Sequence, residues 1–488
     1  MSSEEIDQPK LVDRAMSAFR WVAALRFIGQ MINWLSTIFI IRFLAPEDYG
    51  VISLSEVFRT FLVLFSIVGL SQGLMKIESL TRPLIQKTLG LLVIVNSVLF
   101  LLQFNLAPYA AQFYGNNDLE MVLKVLAFTY LLIPWTSVPY ALVARNLDHK
   151  KTSKITFVTD VLASCLSLTL AYLGYGYWAL VAAIVFTSLF SCFWLNLVVD
   201  YPKLPSFIPK GTEELFKFGA FVALSEVLFV AYNRVDVVIA GKFLDIAQVG
   251  LYGVALQLGT MLMIKTVPLY NVVAFPAFAR MNDTPVERND YLITTLSFAS
   301  TLIFPVFFGA AMVGKDLIGL VLGSNWEQIF GPFAIIVVSV PLRILAYVMS
   351  PAMFTAGAAR INVTNGFITL IFLTVAIFVL LPLGLSGVAI GWSLASVCIF
   401  IMTVVRGGRF LALPLRSIFL AIAPALLVSL IMCAVIYIVD MQFSNPSGLL
   451  ALYKIPLGGI VYALLSWSLL RGRSEEMLRV LNRLLGRQ

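Results

Sequence analysis

The chain has 488 residues, of which 60% are hydrophobic and only 12% charged, with a mean hydropathy of +0.93. Soluble domains carry about a quarter charged residues, so the composition excludes a soluble protein and points to a polytopic membrane protein. The net charge of +8 does not argue for nucleic acid, because the basic residues concentrate in alternate loops between apolar runs.

Lipid offers the backbone no hydrogen bonds, so apolar runs must be helices or strands of a closed barrel. Continuous rather than alternating apolarity selects helices. Fourteen spans are predicted, at roughly 20–42, 51–75, 88–110, 121–143, 155–173, 178–199, 217–241, 250–274, 291–313, 330–356, 361–381, 387–404, 417–438 and 450–470, each near the length that crosses a ~30 Å hydrocarbon core. The first is too long, and its leading tail too mixed in charge, for a cleaved signal peptide. With the N-terminus in the cytoplasm, the outer loops keep only Arg42, Lys242, Lys315 and Lys454, all near helix ends. The positive-inside rule then puts both termini in the cytoplasm.

Charged residues inside a span cost ~2.5–3.5 kcal/mol each at mid-helix on insertion scales, so each is a functional candidate. On span 1, Arg26, Gln30, Asn33 and Thr37 form a polar stripe at i, i+4, i+7, i+11. Span 2 carries Glu56 and Arg59, which at i, i+3 either pair with each other or meet a ligand. Span 5 carries Asp160, and span 7 carries Glu226, Asn233, Arg234 and Asp236. Arg234 and Asp236, at i, i+2, point apart, so each needs a partner elsewhere. Span 8 adds Lys265, and span 10 repeats the stripe with Ser339, Arg343, Tyr347 and Ser350. Both stripes are expected to face a watery interior; for Asn33, Thr37 and the serines, interhelical hydrogen bonding is the open alternative. Glu226 and Asp236 are the candidates for ion or proton coupling. Trp135, Tyr140 and Tyr347 are candidates for stacking on sugars, or are ordinary core aromatics.

The chain also repeats itself. At an offset of 200 residues, NWLSTIFIIRFLAPEDYGVIS from Asn33 and NRVDVVIAGKFLDIAQVGLYG from Asn233 share Asn33/Asn233, Phe43/Phe243, Leu44/Leu244 and Gly50/Gly250. Pro134 and Tyr140 recur as Pro341 and Tyr347 at offset 207, and LGYGYWAL from Leu173 recurs as LGLSGVAI from Leu383 at offset 210. The expected organisation is an N-terminal tail (1–19), a six-helix N-lobe (20–205), a six-helix C-lobe (206–410), two added helices (411–470) and a basic amphipathic tail (471–488). The proline-rich connector Asp200–Lys217 is where the lobes meet in sequence, and in the tail Met477, Val480, Leu481, Leu484 and Leu485 line one face suited to an anionic leaflet, with a solvated tail as the open alternative.

Cys165, Cys192, Cys398 and Cys433 all lie in apolar runs without a CxxC, so they read as buried hydrophobes rather than metal ligands or disulfides. His149 falls in the hydrophilic run RNLDHKKTSK, which reads as a solvated loop. No GxxxxGK[ST] occurs, and no cofactor is implied.

Several passages resemble the Wzx-type oligosaccharide flippases, the polysaccharide-transport branch of the multidrug, oligosaccharidyl-lipid and polysaccharide exporter superfamily, and the exporters of colanic acid type most of all. They are IIRFLAPEDYGV, RNLDHKKTSKI, NRVDVVIAGKFLDIAQVGLYGVA, FPAFARMNDTPVERNDY and LIGLVLGSNW. The resemblance implies an all-α fold of two six-helix lobes in a V plus two helices. It further implies alternating access and an undecaprenyl-pyrophosphate-linked oligosaccharide as substrate, with membrane lipids around the protein and a polysaccharide polymerase or export complex as partner. It also implies that Arg26, Arg59, Arg234 and Lys265 meet the pyrophosphate, an anion suited to paired, charge-assisted bonds from arginine. Two other classes compete. A cation-coupled drug antiporter of the same superfamily would lack the PAFAR and GSNW passages. A membrane-embedded polymerase or ligase would need a sizeable outer loop with acidic or histidine residues, whereas the outer loops here are short and hold no histidine.

Overall fold

The computed structural model describes residues 29–76, 81–145, 149–208, 213–442 and 453–467. Among these residues the chain is almost wholly helical, with no strand. The helices are α1 (29–43), α2 (Pro46–Lys76), α3 (Arg82–Tyr114), α4 (Asp118–Ala127), α5 (Pro134–Arg145), α6 (His149–Tyr172), α7 (Trp178–Val198), α8 (Glu213–Phe243) and α9 (Ile246–Arg280). They continue as α10 (Pro285–Val321), α11 (Phe330–Thr355), α12 (Ala359–Leu380), α13 (Gly384–Met402), α14 (Leu415–Gln442) and α15 (Lys454–Trp467). A helix occupies each of the fourteen expected span positions, with α4 and α5 sharing the fourth. Among the described residues nine helical segments are long and apolar enough to cross a membrane, or ten with the bent pair α4–α5 taken as one span. The protein is a multi-pass membrane protein.

Two compact units, Met1–Val230 and Ala231–Gln488, divide the chain inside α8, C-terminal to the proline-rich connector. The tails 1–19 and 471–488 and the stripe residue Arg26 lie outside the described residues, as does the side chain of Glu226.

In the first unit, α3 begins at an N-cap Thr81 whose hydroxyl accepts from Leu84 N and ends at Gly115 in the left-handed region, the expected capping chemistry. The fourth span is not one straight helix. Between α4 and α5 runs a 3-10 segment, Phe128–Leu132, and the axis turns by 46°. Pro134 supplies the reason, since it has no N–H to donate and its ring crowds the carbonyl of Tyr130. The connector is packed down rather than loose. Ser206 N donates to Gln86 O at 2.9 Å, Trp135 Nε1 to Lys203 O at 3.3 Å, and Lys203 Nζ to Asn196 O at 2.8 Å. The hydrophilic run around His149 also differs from expectation, because α6 begins there.

Each unit contains the same local devices. α1 stops at residue 43 and α2 starts at Pro46; α8 stops at Phe243 and α9 starts at Ile246. The turn is capped by opposite halves of a capping box: Ala45 N donates to Asp48 Oδ2 at 2.9 Å, and Gln248 N to Asp245 Oδ1 at 2.7 Å. Phe43 meets Tyr172 edge-on at 5.7 Å and 82°, and Phe243 meets Phe378 at 5.7 Å and 79°. Both hairpins turn on a glycine of positive φ, Gly174 at 82° and Gly384 at 60°, where a β-carbon would be strained.

In the second unit α12 and α13 form a close hairpin, in which a β-carbon on Gly391 would lie 2.8 Å from Ile377. Small residues permit such approach where no hydrophobic force drives helices together in lipid. The last two helices are built onto α10. Tyr462 donates to Thr301 O at 2.7 Å, and Lys454 Nζ lies 2.7 Å from Asp316 Oδ2 and 3.0 Å from Asp440 Oδ2.

Candidate functional site

In the second unit two of the intramembrane charges, Arg343 and Asp236, share one buried cluster. The sequence pattern expects Ser339, Arg343, Tyr347 and Ser350 to face a watery interior, and the structure corrects this for the arginine, which is only 1% exposed. Its guanidinium lies over two rings, 4.4 Å from the centroid of Tyr232 on α8 and 4.7 Å from that of Trp392 on α13. Its Nη2 donates to Asn233 Oδ1 at 3.0 Å, while Nε and Nη1 find no hydrogen-bond partner. A planar cation over aromatic faces is stabilised by their quadrupoles most strongly where water is excluded, so the arginine is tolerated in the packed interior. Ser339 meets Ser393 Oγ at 3.1 Å and Ile336 O at 2.8 Å, the interhelical alternative. Tyr347 is half-buried, with its hydroxyl within electrostatic reach of the guanidinium.

Asp236 completes this cluster. It is fully buried, accepting from Tyr252 Oη at 2.6 Å and from its neighbour Val237 N at 2.9 Å, with Arg343 in electrostatic range. Arg234, two residues earlier, is half-buried on another side of α8, and Lys265 is exposed on α9. Tyr232, Tyr252 and Trp392 were not singled out in the sequence. An aromatic residue in an apolar helix carries no local mark of the cation it will cover.

In the first unit Arg59 and Glu56 pair through two bonds of 2.7 Å, with side chains 38% and 20% exposed. This is the pairing alternative, and it leaves the outer edge of the guanidinium accessible. Tyr130, in the 3-10 break between α4 and α5, lies within electrostatic range of Arg59 and donates to Gln103 Oε1 at 2.9 Å. Gln30 and Asn33 are half-buried on α1, and Thr37 donates to Asn33 Oδ1 at 3.3 Å. Trp135 is tied into the connector and Tyr140 is exposed. The cations that reach accessible surface are therefore Arg59, Arg234 and Lys265. Arg343 instead holds α8, α11 and α13 together.

A family model described as a polysaccharide biosynthesis protein matches residues 39–330, more than half of the chain. The chain belongs to that family. The lipopolysaccharide biosynthesis protein WzxC of Escherichia coli K12 is 22% identical over 400 residues, 79% of each chain. A membrane protein of the cps region of Klebsiella pneumoniae is 20% identical over 383 residues, 78% of this chain and 79% of its own. Among solved structures, the lipid II flippase MurJ in an inward closed conformation superposes with a TM-score of 0.75 at 13% identity, over 93% of this chain and 99% of its own, which shows a shared fold.

The polysaccharide-family passages have structural work in this chain. Asp48 of APEDYG, which caps α2, also accepts from Tyr177 N at 2.8 Å and so ties the α1–α2 turn to the α6–α7 hairpin. A β-carbon on Gly176 would lie 2.6 Å from the same carboxylate. Trp326 of LGSNW is wholly buried, and Phe278 of PAFAR packs edge-on against Tyr291 at 5.2 Å.

Proposed function

We propose that this protein flips undecaprenyl-pyrophosphate-linked oligosaccharide repeat units from the cytoplasmic to the periplasmic leaflet of the inner membrane, by alternating access, for surface-polysaccharide biosynthesis. The observation that carries this reading is the match of residues 39–330 to a polysaccharide biosynthesis family in a chain that crosses the membrane many times. The relative named for lipopolysaccharide biosynthesis and the fold shared with a lipid II flippase agree with it.

A pyrophosphate cannot cross hydrocarbon bare, and guanidinium groups meet it with paired, charge-assisted hydrogen bonds. Arg59, Arg234 and Lys265 are the contacts favoured by their exposure, with Arg26 joining them on the sequence pattern. Gln30, Asn33 and Tyr347 suit the sugars. Glu226 and Asp236 suit ion coupling, although outward movement of an anion across an inside-negative membrane is already favourable by ~2.3 kcal/mol per charge per 100 mV. The concentration of basic residues in alternate loops supports cytoplasmic termini. A polymerase or export complex as consumer of the flipped unit rests on the family resemblance.

The test is a deletion strain in which lipid-linked intermediates are assigned to a leaflet with a non-permeant sugar-cleaving enzyme. Complete repeat units should accumulate on the cytoplasmic side and clear when the gene is restored. Complete units reaching the outer side unpolymerised would overturn flipping in favour of a polymerase or ligase.

A further inference from the structure

One end of the second unit carries more positive than negative charge. From Gln328 to Val439 the chain has no aspartate or glutamate. Within that stretch Arg360 opens α12, Arg406 and Arg409 follow α13, and Arg416 opens α14. Packing gathers these helix ends. Arg406 Nη1 donates to Asn365 Oδ1 at 2.6 Å, a β-carbon on Gly407 would lie 2.6 Å from Met353 Sδ, and Asn289 Nδ2 donates to Leu411 O at 2.8 Å. The α9–α10 turn, joined here through Asn289, carries Arg280 and Arg288 together with Asp283, Glu287 and Asp290. Six arginines against three acids leave 6 − 3 = +3 at this end.

At the centre, polar groups lack acceptors. Asn365 is 1% exposed, and while its Oδ1 holds Arg406, its Nδ2 has no hydrogen-bond partner. One turn earlier on the same face of α12, Asn362 Nδ2 is also buried without a partner. Buried donors are seldom left unpaired, and the planar amide keeps Asn365 Nδ2 beside the guanidinium. The N-cap of α12, Ala358, makes no side-chain cap hydrogen bond, which leaves the positive end of the same helix without a side-chain acceptor. Arg406 itself is presented by a π-helical turn, Thr403–Gly407, a distortion that recurs at functional sites. A fixed guanidinium, amide donors and a positive helix end, with no acid on their own segment, match an anion.

Apolar surface continues directly from this charge. Val363 and Phe367 on α12, Phe410, and Leu415 and Phe419 on α14 are all exposed. A free anion has no use for such a surface, whereas acyl chains do. We infer that this end of the second unit binds the headgroup of an anionic phospholipid. Arg406 meets the phosphate, with Arg360 and Arg409 at its rim, and the chains lie along the exposed apolar residues. Basic sites between helix ends on the cytoplasmic side suit such lipids, and this is the side to which the loop charges assign Arg360, Arg406, Arg409 and Arg416. The site is independent of what the protein transports.

The test uses the full chain purified in mild detergent, with lipid binding read by native mass spectrometry and stability by thermal unfolding. Phosphatidylglycerol, phosphatidylcholine and inorganic pyrophosphate are added separately. Phosphatidylglycerol should bind and raise the melting temperature, and the other two should not. Arg406→Gln should weaken that binding about fivefold, and the double variant Arg360→Gln/Arg409→Gln more, at about fivefold per arginine removed. The residues of the double variant are exposed, so it should melt like the parent without lipid, which separates lost binding from misfolding. Undiminished binding in both variants, or equal stabilisation by phosphatidylcholine, would overturn the inference. An equal shift with pyrophosphate would assign the site to a soluble anion and overturn the phospholipid.

Discussion

Arg343→Ala tests whether the buried guanidinium is a packing element or a substrate ligand. The residue donates one charged hydrogen bond, to Asn233, worth ~1.5–3 kcal/mol. It also contacts two desolvated aromatic faces, at ~2 kcal/mol each. Against this stand the burial of a charge, which costs several kcal/mol, and two nitrogens without partners. Truncation removes both sides of the balance but leaves an unfilled space and a buried Asp236 without its nearby cation. The net loss expected is about 3 kcal/mol, within the range for removing one member of a buried charged set. Arg343→Met fills the space without burying a charge, and should recover more than half of that loss. Stability would be read by denaturant titration in mixed micelles, and export by the leaflet assay on the same variants. An Arg343→Ala protein within ~0.5 kcal/mol of the parent would refute the packing account. If it also failed to export, Arg343 would be read as a substrate contact instead.

Lys454→Met leaves Asp316 and Asp440 facing each other at the junction of α10, α14 and α15; it should cost about 2–3 kcal/mol, and a double-mutant cycle with Asp316→Asn should show coupling above ~1 kcal/mol. Gly90→Ala puts a β-carbon 2.1 Å from Ser206 O, a backbone clash that should lift the connector and speed protease cleavage between Asp200 and Ile208. Trp326→Ala empties a wholly buried site and should cost about 3–5 kcal/mol in the same titration. Glu56→Gln removes the negative charge and one of the two acceptors that hold the Arg59 guanidinium at 2.7 Å and should increase binding of lipid-linked diphosphate to the purified protein; unchanged binding would remove Arg59 from the site.

The internal repeat was legible because it rests on local signals. A helix stop, a two-residue turn, a capping acid and a positive-φ glycine are each decided within a few residues of chain. The matches Phe43/Phe243 and Gly174/Gly384 therefore reappear as the same ring contact and the same hairpin in both units. The break in the fourth span was harder to see. Pro134 and Pro341 match at offset 207, yet only the first accompanies a bend, since α11 runs through Pro341 unbroken. Neighbouring helices decide whether the carbonyls freed by a proline are paired in place or the helix turns.

The charged residues divide in the same way. Hydropathy alone marks Arg59, Arg234, Asp236, Lys265 and Arg343 as costly and therefore meaningful, because each would otherwise bring an unpaired charge into hydrocarbon. Spacing along one helix also foresees the Glu56–Arg59 pair as one of two outcomes. No spacing foresees that Tyr232, Asn233 and Trp392 enclose Arg343, since they arrive from helices up to 160 residues apart in sequence. By itself the sequence determined that this is a many-helix, twice-repeated membrane protein of the polysaccharide family, because membrane insertion responds to apolarity and charge summed along each segment. Only the tertiary structure decided which of its charges are spent inside the protein and which stay accessible, because that depends on which side chains three separate helices bring within a few ångströms of one another.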